Sequence, residues 1–187
     1  MNLRARLAGA LLLASVGATA PAADWGMDAA ASRLEFIATY ERQAAPGVFR
    51  RFNTRLRFDP ERPQGGRLHV TVMLANTDMD STDINEAIRA PEWFDLARFQ
   101  QAEFTSSDIR RTAPRQYVAR GVLRLKGVNR EVTVPFTWDG AGDTAVMAGE
   151  LTLDRTAFGI GTGEWAAGDP IGLHVKVKFK VTLRKAG

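Results

Sequence analysis

The chain has 187 residues, of which 45% are hydrophobic and 25% charged, and it contains no cysteine. That length suits one well-buried domain, and the lack of cysteine excludes both a disulfide scaffold and a thiolate metal site. The formal net charge of +4 includes Arg4 and Arg6, so it falls to +2 if the first residues are removed; no nucleic-acid partner is expected, because neither an arginine-rich helix nor an aromatic–basic motif is present.

"MNLRAR" and the apolar run "LAGALLLASVGATA" that follows it read as a signal peptide. The run is too short to span a bilayer comfortably, and "APA" at 20–22 has the small-x-small form of a cleavage site. Cutting after Ala20 would leave Pro21 behind the scissile bond, so cleavage is expected near Ala22. Residues 1–22 are thus assigned to a signal peptide for export to the periplasm, and 23–187 to one domain.

Strand patterns then dominate. "SRLEFIATYE" puts Leu34, Phe36, Ala38 and Tyr40 on one face. "GVFRRFNTRLRFD" (47–59) carries Phe49, Leu56 and Phe58, with a bulge expected near Arg51 that turns Phe52 inward. After the turn "DPERPQGG", "RLHVTVMLAN" alternates Leu68, Val70, Val72 and Leu74 against His69, Thr71 and Met73. "STDINEAIRAPEWFDLARFQQ" (81–101) interrupts with helical spacing at Ile84, Ala87 and Ile88, an N-cap at Ser81 or Thr82, and a stop at Pro91. Strands resume with "AEFTSSDIR", "QYVARGVLRLKG", "REVTVPFTWD" and "AVMAGELTLD". The last, "GLHVKVKFKVTLRK", sets Leu173, Val175, Val177, Phe179, Val181 and Leu183 against His174 and three lysines.

Eight antiparallel strands, each with one apolar face, most simply close into a barrel, which removes the exposed edges; a two-sheet sandwich is the alternative. A barrel of that strand number either fills with side chains or holds one small ligand. Ala38, Ala119, Gly121 and Gly149 are small residues in line with large apolar ones and favour an open lumen. A filled core stays open as well, because a sequence does not show which residues face each other across the barrel. An outer-membrane barrel fits less well: no aromatic girdles recur at the strand ends, and the chain ends in "RKAG".

Chemistry-bearing groups are few. His69 and His174 sit on polar strand faces, which argues against a zinc site or a catalytic triad. "FGIGTGEW" precedes a strand instead of opening a helix, so it reads as a rim turn with Phe158 and Trp165 over the mouth, not a phosphate loop. Asp78 and Asp80 lack the glycine and terminal glutamate of a calcium loop. Arg155 either balances a ligand head group or anchors the rim loop.

Several spaced motifs together resemble the YceI-like family of exported lipid-binding proteins. They are Asp28, Ser32 and Phe36 at four-residue steps; "GVFRRF" with Gly47, Phe49 and Phe52; "EWFDLARFQQAEFTSS"; "GVLRLKGVNREV"; and "LDRTAFGIG". The resemblance spans residues 24 to 184. Ala31 and Tyr40 stand where the family has His, Ile84-Asn85 where it has Arg-Asp and Gln100 where it often has Pro, so the family's polar head-group contacts are not carried over, while the apolar framework is kept.

The resemblance implies an all-β, eight-stranded antiparallel lipocalin-like barrel with a short helical insertion between strands 3 and 4. It implies a polyisoprenoid or other long-chain lipid, a quinone included, in the lumen, and no other cofactor or metal. Relatives of this kind suggest a homodimer and contact with a membrane or a membrane-bound b-type cytochrome. On this reading Phe36, Ala38, Tyr40, Phe49, Phe58, Gly121, Leu123, Phe136, Val177 and Phe179 form the lumen wall. Trp93, Phe94, Phe158, Trp165 and Arg155 stand at the mouth, where the helical insertion and the Gly-rich loop form a lid. The rival readings are an enzyme acting on a lipid or quinone, for which the apolar faces offer only Tyr40 and Tyr117, and a solid-cored adaptor of a membrane cytochrome.

Overall fold

The computed structural model describes residues 22–186, so nearly all of the expected signal peptide lies outside the described residues. Eleven strands follow in chain order: β1 (Ala23–Met27), β2 (Arg33–Tyr40), β3 (Gln43–Phe49), β4 (Phe52–Phe58), β5 (Arg67–Met73), β6 (Thr77–Asp78), β7 (Gln101–Ala113), β8 (Gln116–Leu125), β9 (Val128–Ala141), β10 (Thr144–Asp154) and β11 (His174–Lys185). Helix α1 (Thr82–Ala87) lies between β6 and β7, capped by the Ser81 hydroxyl, which accepts from the Ile84 amide. Ile84 itself is exposed, so the helical spacing does not mark a buried face here.

Six of these strands are halves of three bent ribbons. β1 and β2 lie along the same side of β11, β3 and β4 run on into each other through Arg50 and Arg51, and β5 and β6 flank a short turn. Trp25 lies opposite Lys185 and Arg33 opposite Lys180, so eight steps of the first ribbon pass five of β11. The three surplus residues form the 3-10 turn Ala29–Ala31, capped by the Asp28 carboxylate. The result is an eight-ribbon meander in which each ribbon pairs with the next, closed by β1 against β11. Closure pairs the first ribbon with the last and so removes the two terminal edges of the sheet.

Alternation fixes which faces turn inward. Thr54, Leu56 and Phe58 of β4 are buried, whereas Asn53, Arg55 and Arg57 face water. Outside, Lys176 and Lys178 lie within 3.6 and 3.9 Å of Glu150, so the lysine face of β11 is a solvated exterior. His69 sits on the same exterior, its ring nitrogens 3.1 Å from Thr105 Oγ1 and 3.2 Å from Thr71 Oγ1.

The β9–β10 pair is incomplete. β9 and β10 stay in register from Ala141 and Thr144 up to Thr137 and Ala148, where the pairing ends. A Cβ on Gly149 would lie 2.2 Å from the Pro135 carbonyl oxygen. Pro135 therefore presents its carbonyl to β10 but has no N–H to offer beside it. Beyond that fork β9 keeps β8, and β10 keeps β11.

Candidate functional site: an apolar cavity at one end of the barrel

The two ends of the barrel differ. At the end that carries the 59–66, 114–115 and 142–143 turns, aromatic rings fill the interior. Phe58, 1% exposed, is the hub, with ring centroids 5.0 Å from Tyr117, 5.0 Å from Trp138 and 5.9 Å from Phe136. Trp25 meets Trp138 edge-on at 5.0 Å. The polar tips of these rings are satisfied by main chain: Trp25 Nε1 donates to the Phe58 carbonyl and Tyr117 Oη to that of Pro60. Such edge-on aromatic clusters pack densely and leave no passage.

Toward the other end the interior opens into a cavity of about 160 Å³. Its wall is largely aliphatic: Leu34, Val70, Val72, Leu123, Leu125, Val132, Val134, Leu151, Leu153 and Val177, with Phe49, Phe52, Phe94 and Phe179 among them. Of the lining residues only Thr54 and Glu103 are polar. Glu103 is engaged elsewhere, accepting from Arg124 Nη2 at 2.5 Å and from Gln101 Nε2 at 3.3 Å. Thr54 stands at the junction with the filled end, between Phe52 and Leu56 on the inward face of β4. A cavity of this volume and character matches the roughly 150 Å³ apolar voids that stay dry and accept benzene.

Two segments, 79–100 and 155–173, cover the cavity end and are tied to each other. The Gly161 and Thr162 amides both donate to the Glu92 carbonyl, and the Trp93 and Trp165 rings lie 5.9 Å apart. Arg155, 4% exposed, is the clamp. Nε donates to the Gly172 carbonyl, Nη1 to those of Ile160 and Gly161, and Nη2 to those of Trp165 and Ile171. These five acceptors use all five guanidinium N–H groups. Burial pulls this guanidinium below its ordinary pKa. Gly161 has to be glycine: its φ is +71°, and a Cβ there would lie 2.0 Å from Arg155 Nη1. Lys126, in the β8–β9 turn, adds bonds to the carbonyls of Pro91 and Gly159, and burial lowers its pKa as well.

On the far side of the cover, Asp78 ties α1 to the barrel. It accepts from Asn85 Nδ2 at 3.0 Å, from the Asp80 amide at 2.9 Å and from Arg50 Nε at 2.7 Å. Hydrogen bonds from Asn85, Asp80 and Arg50, in that order, bring its carboxyl down to about 2. Asn85 also accepts from the Met79 amide, so its side-chain amide serves as both donor and acceptor.

Of the residues assigned to the lumen wall, Phe49, Leu123, Val177 and Phe179 line the cavity, and Phe94 from the mouth set joins them. The others are placed differently. Phe58 and Phe136 face inward but belong to the filled end. Phe36 is buried over Gly47 and packs on Phe49 at 4.9 Å, beyond the lining. Ala38 pairs with Ala45 in the β2–β3 hairpin, and Tyr40, at its tip, is 50% exposed beside Ile171. Gly121 faces inward where a bulge in β7 presses close: a Cβ would lie 2.2 Å from the Thr105 carbonyl oxygen. Its smallness accommodates backbone and does not widen a lumen. Trp93, Phe158 and Trp165 belong to the cover, outside the lining. Arg155 anchors the rim loop and has no donor left for a head group.

Trp25, Thr54 and Lys126 were not singled out by the sequence. Thr54 had a visible signal, being the one polar residue in the inward series Phe52, Thr54, Leu56, Phe58. Lys126 binds only carbonyls, which leave no trace in side-chain chemistry.

Comparison with known proteins agrees with this architecture. Protein YceI of Salmonella arizonae is 29% identical over 97 residues, 52% of this chain, and a UPF0312 protein of Photorhabdus laumondii is 27% identical over 96 residues, 51% of it. The match spans 50% of the length of either relative. Among solved structures, Burkholderia cenocepacia BcnA superposes with a TM-score of 0.81 at 31% identity, covering 83% of this chain and 98% of that one. A polyisoprenoid binding domain from Saccharophagus degradans gives a TM-score of 0.68 at 13% identity, over 87% of this chain and 98% of that one, and so shares the fold. The family model for the YceI-like domain matches residues 25–183, from the strand that closes the barrel to the one it closes on, and the chain belongs to that family.

Proposed function

We propose that this protein is an exported, non-enzymatic carrier that shelters the apolar part of a long-chain isoprenoid lipid, a prenol or quinone, in the cavity at the hollow end. The observation that carries the reading is a cavity lined almost wholly by carbon, floored by aromatic rings and bordered above by the segment that carries Phe94. The Saccharophagus neighbour, described as polyisoprenoid binding, lends support. A binding role also suits the lining chemistry: the one titratable side chain there, Glu103, is held by Arg124 and Gln101.

Size sets the terms. A cavity of about 160 Å³ takes about six carbons, as benzene-sized voids do. Each further CH₂ buried adds roughly 0.8 kcal/mol of driving force. A chain of several isoprene units therefore enters only as Phe49, Phe52, Phe94 or Phe179 turns aside or the cover shifts. In this reading the carrier crosses the periplasm and hands its lipid to a membrane or a b-type cytochrome, alone or as a homodimer.

The test is purification of the mature protein from its native host, followed by organic extraction and mass spectrometry. A neutral isoprenoid lipid in near-stoichiometric amount is expected, with an N-terminus at Ala23 in the periplasmic fraction. Protein that emerges free of lipid and takes up none from isoprenoid-loaded vesicles would refute the carrier role.

A further inference from the structure

An inward-facing threonine at the floor of an otherwise carbon-lined cavity calls for a reason. Thr54 is 1% exposed, and its Oγ1 meets no hydrogen-bond partner among the described residues. A buried hydroxyl left unpaired is costly, whereas a valine of the same shape would carry no such penalty. A water is a poor remedy, since a buried water needs two to four polar partners and, Glu103 apart, every other side chain lining the cavity is apolar. Ser106, the nearest comparable case, is buried yet satisfied: its Oγ accepts from the Leu68 amide at 2.8 Å.

Resting on the carrier reading above, we infer that Thr54 Oγ1, which shows almost no surface to the cavity until a lining side chain such as Phe52 turns aside, then becomes the docking point for one uncharged oxygen, an alcohol or a carbonyl, on the apolar ligand. The ligand then enters oxygen first, with its hydrocarbon directed toward the cover. The hydroxyl donates to a carbonyl and accepts from an alcohol, so it serves both. It does not serve a phosphate or carboxylate. No lysine or arginine lines the cavity, and burying an unpaired charge there is prohibitive. Charged head groups are thereby directed to the mouth, and Thr54 selects neutral oxygenated lipids over plain hydrocarbons.

Three ten-carbon isoprenoids make the test: geraniol (alcohol), geranial (aldehyde) and myrcene (hydrocarbon). Each displaces the fluorescent probe N-phenyl-1-naphthylamine from the mature wild type, Thr54→Val and Thr54→Ser. Comparing affinity ratios within each variant cancels differences in probe binding. Relative to wild type, the geraniol-to-myrcene and geranial-to-myrcene ratios are expected to fall about threefold to tenfold in Thr54→Val. They should stay within about twofold in Thr54→Ser, which keeps the oxygen. Ligand-free Thr54→Val is expected to melt at a higher temperature than wild type, because the unpaired group is gone. If only one of the two oxygenated ligands loses its advantage, the class narrows to that one. Ratios unchanged in Thr54→Val, or lost equally in Thr54→Ser, overturn the docking role while the carrier reading stands. Failure of all three isoprenoids to displace the probe from wild type sinks both.

Discussion

The filled and hollow ends of this barrel are made from the same eight ribbons, with the same inward alternation, yet among the described residues the carbon-lined interior cavity lies at one end and only an open surface cleft around Arg111 and Arg115 at the other. The difference is side-chain reach. Trp25, Phe58, Tyr117, Phe136 and Trp138 are long enough to meet near the barrel axis. Val70, Val72, Val132, Leu151 and Leu153 are not, so the same circumference leaves a space between them. An eight-stranded barrel sits at the size where that choice is decided residue by residue. The filled end supplies stability through close packing, and the hollow end gives up some of it for capacity.

The sharpest way to break the comparison is to hollow out the filled end. Phe58→Ala removes the hub of four rings and is expected to cost about 3–5 kcal/mol, read from the urea midpoint at unchanged slope. Loosening the cover comes next. Arg155→Lys replaces five donors by three and strands buried carbonyls, an expected loss of about 2–3 kcal/mol. Amide exchange should rise across 155–172 while the amides around Phe58 keep their protection.

Phe179→Ala, at the hollow end, should cost only about 1–2 kcal/mol, since a space is already present beside it. The same variant should bind larger apolar probes than wild type. A loss equal to that of Phe58→Ala would mean the two ends do not differ as described.

The smallest effect is expected from acid. Asp78 has its pKa lowered from 3.8 to about 2 in the folded protein. Its contribution is therefore complete above about pH 4 and is lost as pH falls through 2, because the unfolded chain takes up the proton first. Protection factors of the α1 amides, in which the intrinsic pH dependence of exchange cancels, should fall as pH drops through that window in wild type and stay level there in Asp78→Asn.

Much of this was legible in the sequence, for a physical reason. Period two reports which face a residue occupies, so the eight ribbons, the inward turn of Phe52 and the insertion at 81–101 all follow from local pattern. It does not report height along the barrel. Phe58 and Phe136 are on the inward face as expected, but their level depends on pairing with strands distant in sequence. Likewise Gly121 reads as empty space until the β7 bulge that presses against it is known. The strand "ADWGM" is hard to read because five residues are too few for a period of two to stand out, although Ala23, Trp25 and Met27 do share the inward face. Arg155 was recognised as a rim residue, but its partners are main-chain carbonyls, which any sequence supplies.

The fork at Pro135 and Gly149 has a mechanical meaning. Between Thr137 and Ala141, spreading β9 from β10 means breaking cross-strand bonds, but past this point the two strands share no register to break. The side wall can yield like a split sleeve at the hollow end while the stitched portion below keeps its girth. Swelling around a bulky guest is thereby decoupled from unfolding.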